Sequence, residues 1–282
     1  MDNLSILSLI TLFLTDSFLR SALLASLSAS IAGGIVGSYI VVKRIVFISG
    51  SIAHSVLGGL GAALYIKRVY HINWLEPIHG ALVAAILSAW LIGVIRLYYR
   101  EREDTVIAAL WAFGMSLGVI LISLTPGYTS EISNYLFGNI LWASKSDIAL
   151  LLGLDGLIIL ITAIFHRRFL AICFDERQAF LQGQSIKCLY FLLLSLVAVT
   201  VVIMIQVIGA ILIIALLSLP AAIANTYTHR LSKMMAIAVV LALFISFLGM
   251  GLSYFLNWPP GATLALTATT IYLFHLFRKK FI

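Results

Sequence analysis

The chain is short of charge. Only 10% of its 282 residues are Asp, Glu, Lys or Arg, while 62% are hydrophobic, against roughly a quarter charged and half apolar in soluble domains. A water-soluble core of this length could not hide so much apolar surface, so a soluble fold is excluded. Cysteine is scarce as well: Cys173 and Cys188 stand alone at a spacing that matches no metal motif. No glycine-rich loop ends in Gly-Lys-Ser/Thr, the arrangement that cradles nucleotide phosphates. Gly183-Gln184-Ser185 lacks the lysine and the spacing, and the glycines at 33, 34 and 37 lie inside an apolar run. Transport against a gradient would therefore draw its energy from a separate ATPase subunit or from a secondary gradient. His-Glu-x-x-His and Gly-x-Ser-x-Gly are also missing, which removes the usual constellations of a membrane hydrolase.

What is present is a series of apolar stretches separated by short clusters of charge. A bilayer needs about 20 apolar residues per helical span, and the stretches have that length: Leu19 to Val42, Val46 to Ile66, Pro77 to Ile95, Thr105 to Thr125 and Ile148 to Phe165. The uncharged run from Cys188 to His229 would extend about 63 Å as one helix, twice the hydrocarbon thickness. It is expected to divide near Gln206 to Gly209. Met234 to Leu256 and Gly261 to Phe277 complete the set. The expectation is an all-α, polytopic integral membrane protein of about eight or nine transmembrane helices, with residues 1–282 forming a single transmembrane domain. Residues 1–16 are too short to span and read as an interfacial helix. Tyr135 to Ser144 reads as a re-entrant or surface segment on the outer face.

Charge sets the orientation. With nine spans and the N-terminus outside, 14 of the 18 Lys and Arg residues fall on the cytoplasmic side, and only Arg20, Lys67, Arg68 and Lys145 remain outside. This is the asymmetry of the positive-inside rule. The net charge of +7 then reflects topology and not nucleic-acid binding. The C-terminus is placed in the cytoplasm of a cell-membrane protein.

Ionisable groups at membrane depth are costly and mark functional positions by default. His54 is one. Gly50, His54 and Gly58 recur every four residues, so they share a helical face on which a neighbouring backbone or an ion can approach the imidazole. A neutral imidazole suits zinc and other borderline transition metals; the alternative is a histidine hydrogen-bonded across two helices. Asp155 lies mid-span and could complete a metal site with His54, carry a proton or lock helices together. Glu76 and His79, three residues apart at the start of a span, form either a cation-attracting vestibule near His71 or a solvated loop cluster. Glu131 in the next outer loop has the same ambiguity. The stripe of Ser26, Ser30, Gly34 and Ser38, with Gly33 and Gly37, reads as close helix packing.

A further set of blocks carries a resemblance. They are Gly37 with Val41-Val42-Lys43-Arg44 and the His54 segment; Glu103-Asp104-Thr105-Val106-Ile107 with Gly114 and Gly118; Tyr135 to Leu141; Asp147; Phe174-Asp175-Glu176-Arg177-Gln178-Ala179 with Gly183; Gln206 to Leu212 through Leu217, Pro220 and Ala222; and Gly249, Gly251-Leu252-Ser253 and Pro260-Gly261-Ala262. Collinear from about residue 20 to 275, they resemble the permease family of ABC importers for zinc, manganese and iron. Many family members carry an aspartate four residues before the histidine, and the matching position here is Gly50.

The resemblance implies a permease fold related to that of vitamin B12 and siderophore importers. It also implies a homodimer, two cytoplasmic ATP-binding cassette subunits and an extracytoplasmic metal-binding protein that delivers the cargo. No cofactor belongs to the chain itself; the transported ion would be Zn2+ or Mn2+, or iron or an iron chelate. A secondary cation transporter is the reading from another class. Two cytoplasmic segments could offer a short helix to the ATPase: Phe174 to Gln184, including Glu176 and Arg177, and Asn225 to Met235, including Thr228, His229 and Arg230. Similarity of position to related importers favours the second.

Overall fold

A computed structural model describes residues 15–99, 103–127, 138, 140, 143–144 and 145–280. Ten helices account for most of them: α1 Ser17–Val42, α2 Val46–Val69, α3 Pro77–Tyr98, α4 Glu103–Ser123, α5 Lys145–Phe174, α6 Glu176–Leu181, α7 Ile186–Ile208, α8 Ala210–Ala224, α9 Leu231–Leu256 and α10 Pro260–Lys280. Most of the proposed interfacial segment, Glu131 and most of the Tyr135 to Ser144 segment lie outside the described residues.

Among the described residues seven helices are long and apolar enough to cross a bilayer: α1 to α5, α7 and α9. The long uncharged run divides at Gly209, whose φ of 82° ends α7 and begins α8. An L side chain rarely adopts that backbone conformation, so a glycine is the residue that permits the break. At 15 residues α8 is shorter than these seven. Four threonines, His275 and a basic end dilute the apolar character of α10. The fifth helix is longer than hydropathy suggests, running past Arg167 and Arg168 to Phe174. Arginine is a good helix former and its charge can reach water from the end of an apolar stem, so the basic pair ends the apolar stretch without ending the helix.

The chain divides into two compact units, residues 1–38, 136–158 and 207–282 in one and 39–135 and 159–206 in the other. Helices α1 and α5, and α7 by its last two residues, contribute to both. In the first unit α8, α9 and α10 pack on one another around Ala215, Ile245 and Ala268. The small-residue stripe of α1 serves packing: a Cβ on Gly34 would sit 2.6 Å from the Val239 backbone nitrogen, and the Ser30 hydroxyl lies 3.2 Å from that of Ser246. In the second unit α2 packs against α3 and α4. A Cβ on Gly61 would fall 2.8 Å from the Gly118 carbonyl oxygen, so the two backbones meet without intervening side chains.

Candidate functional site

That close approach brings α4 onto the His54 face of α2. The Ser51 hydroxyl donates to the Ile107 carbonyl at 3.0 Å, and the Ser55 hydroxyl donates to its own helix at Ser51 and to the Leu110 carbonyl at 3.3 Å. Between these two ties, Trp111 lies flat on His54, with ring centroids 4.1 Å apart and planes 11° from parallel. Its indole N–H donates to the Met115 sulfur at 3.3 Å. One turn before His54, Gly50 lies beside the indole, where a Cβ would stand in ordinary contact with the ring at 3.9 Å. His54 Nδ1 is buried and has no hydrogen-bond partner. The cross-helix contact of His54 is thus a ring stack, and one in-plane nitrogen keeps an uncommitted position.

Trp111 carries no charge or metal-binding atom that would mark it at membrane depth. The signal available is its spacing, because Trp111, Gly114 and Gly118 fall at i, i+3 and i+7 on α4 and so share the face that meets α2.

Asp155 on α5 is 4% exposed and accepts a hydrogen bond from the Ser28 hydroxyl of α1 through Oδ2. Its other oxygen, Oδ1, is buried without a partner. Both residues belong to the first unit, whereas His54 belongs to the second. Among the described residues no three His, Cys, Asp or Glu side chains gather as a metal-binding group.

Glu76 and His79 start α3. The Glu76 backbone N–H donates to His79 Nδ1 at 3.1 Å, closing the first turn, and the Glu76 carboxylate pairs with Lys67 at 2.7 Å. His71 sits in the preceding turn at φ 55°. The four groups account for a capped helix start beside a surface ion pair.

The two candidate ATPase-facing segments differ in form. Phe174 to Gln184 holds α6, capped by the Asp175 carboxylate, which accepts from the Gln178 N–H at 3.0 Å. Glu176 at its head meets Lys43 and Arg96, while Arg177 is exposed. The far end presents Phe180 and Leu181, 69% and 84% exposed. Asn225 to Arg230 is a turn and bend, and α9 begins at Leu231. There Thr228 accepts from the Arg230 N–H at 3.2 Å, and His229 and Arg230 are exposed. The same turn is tied to α10, where His275 meets the Thr226 and Tyr227 hydroxyls at 3.0 and 3.2 Å.

The sequence pattern of the ABC 3 transport family matches residues 15–279. The chain belongs to that family. Among the relatives of this ABC 3 chain is a Chlamydia pneumoniae protein named "Probable metal transport system membrane protein", 46% identical over 94% of this chain and 92% of that one. The manganese transport system membrane protein MntC of Listeria monocytogenes is 32% identical, over 91% of this chain and 89% of its own length. The solved structure of PsaBC from Streptococcus pneumoniae in complex with Fab superposes with a TM-score of 0.84 at 29% identity, covering 96% and 95% of the two chains. This ABC 3 family member is a multi-pass membrane protein with the fold of an ABC transporter permease.

Proposed function

We propose that the chain is the membrane-spanning subunit of an ABC importer that moves a divalent transition-metal ion, zinc or manganese, into the cytoplasm. The observation that carries this reading is the full-length likeness to metal transport system membrane proteins, one named for manganese, and to PsaBC. His54 is the cargo ligand in this account. A buried imidazole nitrogen without a partner carries a desolvation cost that a bound cation would offset. Asp155 is assigned to helix locking through Ser28, and Glu76 and His79 to the start of α3.

The working complex contains two copies of the permease, two ATP-binding cassette subunits and an extracytoplasmic metal-binding protein. The N-terminus is outside and the C-terminus inside, in accord with the distribution of Lys and Arg. ATP binding would draw the ATPases together and reorient the helices, carrying the ion from an outward-facing to an inward-facing cavity. Of the two candidate coupling segments, α6 is favoured, because it is a capped helix with exposed apolar side chains at its free end. The turn from 225 to 230 is already engaged by His275.

Co-expression with an ATP-binding cassette subunit of the same organism and reconstitution in liposomes test the proposal. ATP-dependent uptake of labelled zinc or manganese, absent from liposomes holding the permease alone, is the expected result. Uptake by the permease alone, driven by an ion gradient, would establish a secondary carrier instead. Uptake of iron or an iron chelate in preference to both would change the cargo and leave the importer.

A further inference from the structure

We propose that Trp111 is a positioning residue for the cargo, acting through His54; the inference rests on the reading of His54 as the cargo ligand. Three observations place it there. The indole lies parallel to the imidazole at 4.1 Å and 11°. Its own orientation is fixed by the N–H bond to Met115 one turn along α4. The position one turn earlier on the His54 face, Gly50, carries no side chain, and even a Cβ there would only touch the indole at 3.9 Å.

An imidazole binds a metal through an in-plane lone pair. A ring stacked on its face fixes the plane and leaves the edge free, so Trp111 orients the ligand without occupying a donor atom. Ligating histidines ordinarily have their orientation set by a hydrogen bond from the other ring nitrogen to a carboxylate or carbonyl. At His54 the buried nitrogen Nδ1 makes no such bond, and the flat indole supplies the constraint. Stacking also acts on charge. Once a cation is bound, the imidazole carries positive character, and the electron-rich face of an indole attracts it more than that of a phenyl ring. The stack is therefore stronger in the loaded state than in the empty one, the condition for a contact that raises affinity. Removing it should raise the metal concentration for half-maximal uptake on the order of ten-fold.

The experiment compares the wild-type complex with W111F, W111L and H54A, each assembled with its ATPase in liposomes. Zinc and manganese uptake is measured over a range of free metal. With W111L the half-saturating metal concentration rises about ten-fold while ATPase assembly and maximal rate hold; W111F falls between, because a phenyl ring restores the plane and part of the attraction. A second readout does not depend on transport. Adding zinc to the detergent-solubilised complex changes tryptophan fluorescence in the wild type, and the change is lost in W111F and in H54A. A wild-type half-saturating concentration in W111L, with H54A inactive, overturns the positioning role and leaves His54 as the ligand. Normal uptake by H54A overturns the reading on which the inference rests. A reduced yield of assembled W111L complex with an unchanged half-saturating concentration identifies Trp111 as packing only, and overturns the proposal.

Discussion

Lys43, in the turn between α1 and α2, sets its ammonium against the Glu176 carboxylate at the head of α6 and against the Ile172 carbonyl at the end of α5. Arg96 of α3 stands 3.6 Å from the same carboxylate oxygen, and its guanidinium also reaches the Tyr190 hydroxyl of α7 at 3.0 Å. One acidic residue at the root of the short helix thus faces the ends of several membrane helices. The Lys43 side chain is 6% exposed and Glu176 43%, so the pair is partly shielded from solvent, and its loss should be felt more than that of a surface ion pair.

The first prediction concerns that junction. Glu176→Gln should destabilise the permease by about 1–2 kcal/mol, since the nearly buried Lys43 keeps a carbonyl but loses its counter-charge. In the assembled complex ATP hydrolysis should persist while metal uptake falls roughly ten-fold, a factor equal to about 1.4 kcal/mol of lost coupling. Parallel ATPase and uptake assays check it; equal losses in both would show that the junction only supports folding.

The second concerns the surface that meets the ATPase. Single cysteines at Phe180 or Leu181 should crosslink to the ATP-binding subunit in a background lacking Cys173 and Cys188. Cysteines at Thr228 or His229 should crosslink less. The reverse pattern would make the turn after α8 the coupling segment.

Much of this architecture is legible from residue spacing alone. The break at Gly209 follows from the length of the apolar run, because 42 residues exceed any single crossing, and the glycine supplies the φ the break requires. The packing role of Gly34 and Ser30 follows from four-residue spacing. The site was half legible. His54 stands out as an ionisable group at membrane depth, but its partner is an aromatic ring on another helix, and hydrophobic pattern does not tell a stacking tryptophan from a lipid-facing one. Glu176 and Lys43 are 133 positions apart, and nothing in local sequence announces a pair at that separation.

Helix contact through glycine gives the third prediction. Gly118→Ala places a Cβ 2.6 Å from the Leu57 carbonyl oxygen, so backbones must shift, at about 1–3 kcal/mol. Gly153→Ala on α5 meets nothing within 4 Å and should be neutral or stabilising by up to about 1 kcal/mol, since alanine is the better helix former. Thermal unfolding of the two variants in detergent should show a lower midpoint for the first and an equal or higher one for the second.

The fourth separates the two roles of Asp155. As a helix lock, Asp155→Asn keeps an acceptor for the Ser28 hydroxyl and should retain uptake within about two-fold. As a cargo ligand, it would lose the charge that holds the ion, and uptake would collapse. Asp155→Leu, which removes the acceptor, should lower the unfolding midpoint in either case.

The passage of the cargo past His54 is the claim on which the account turns. The direct measurement is ATP-driven uptake of radiolabelled zinc and manganese into liposomes holding the complex with His54→Ala, matched to wild type for permease content and ATPase assembly. The account predicts loss of uptake of the transported metal to the level seen without ATP, with the complex intact. Uptake at the wild-type rate and half-saturating concentration would contradict it.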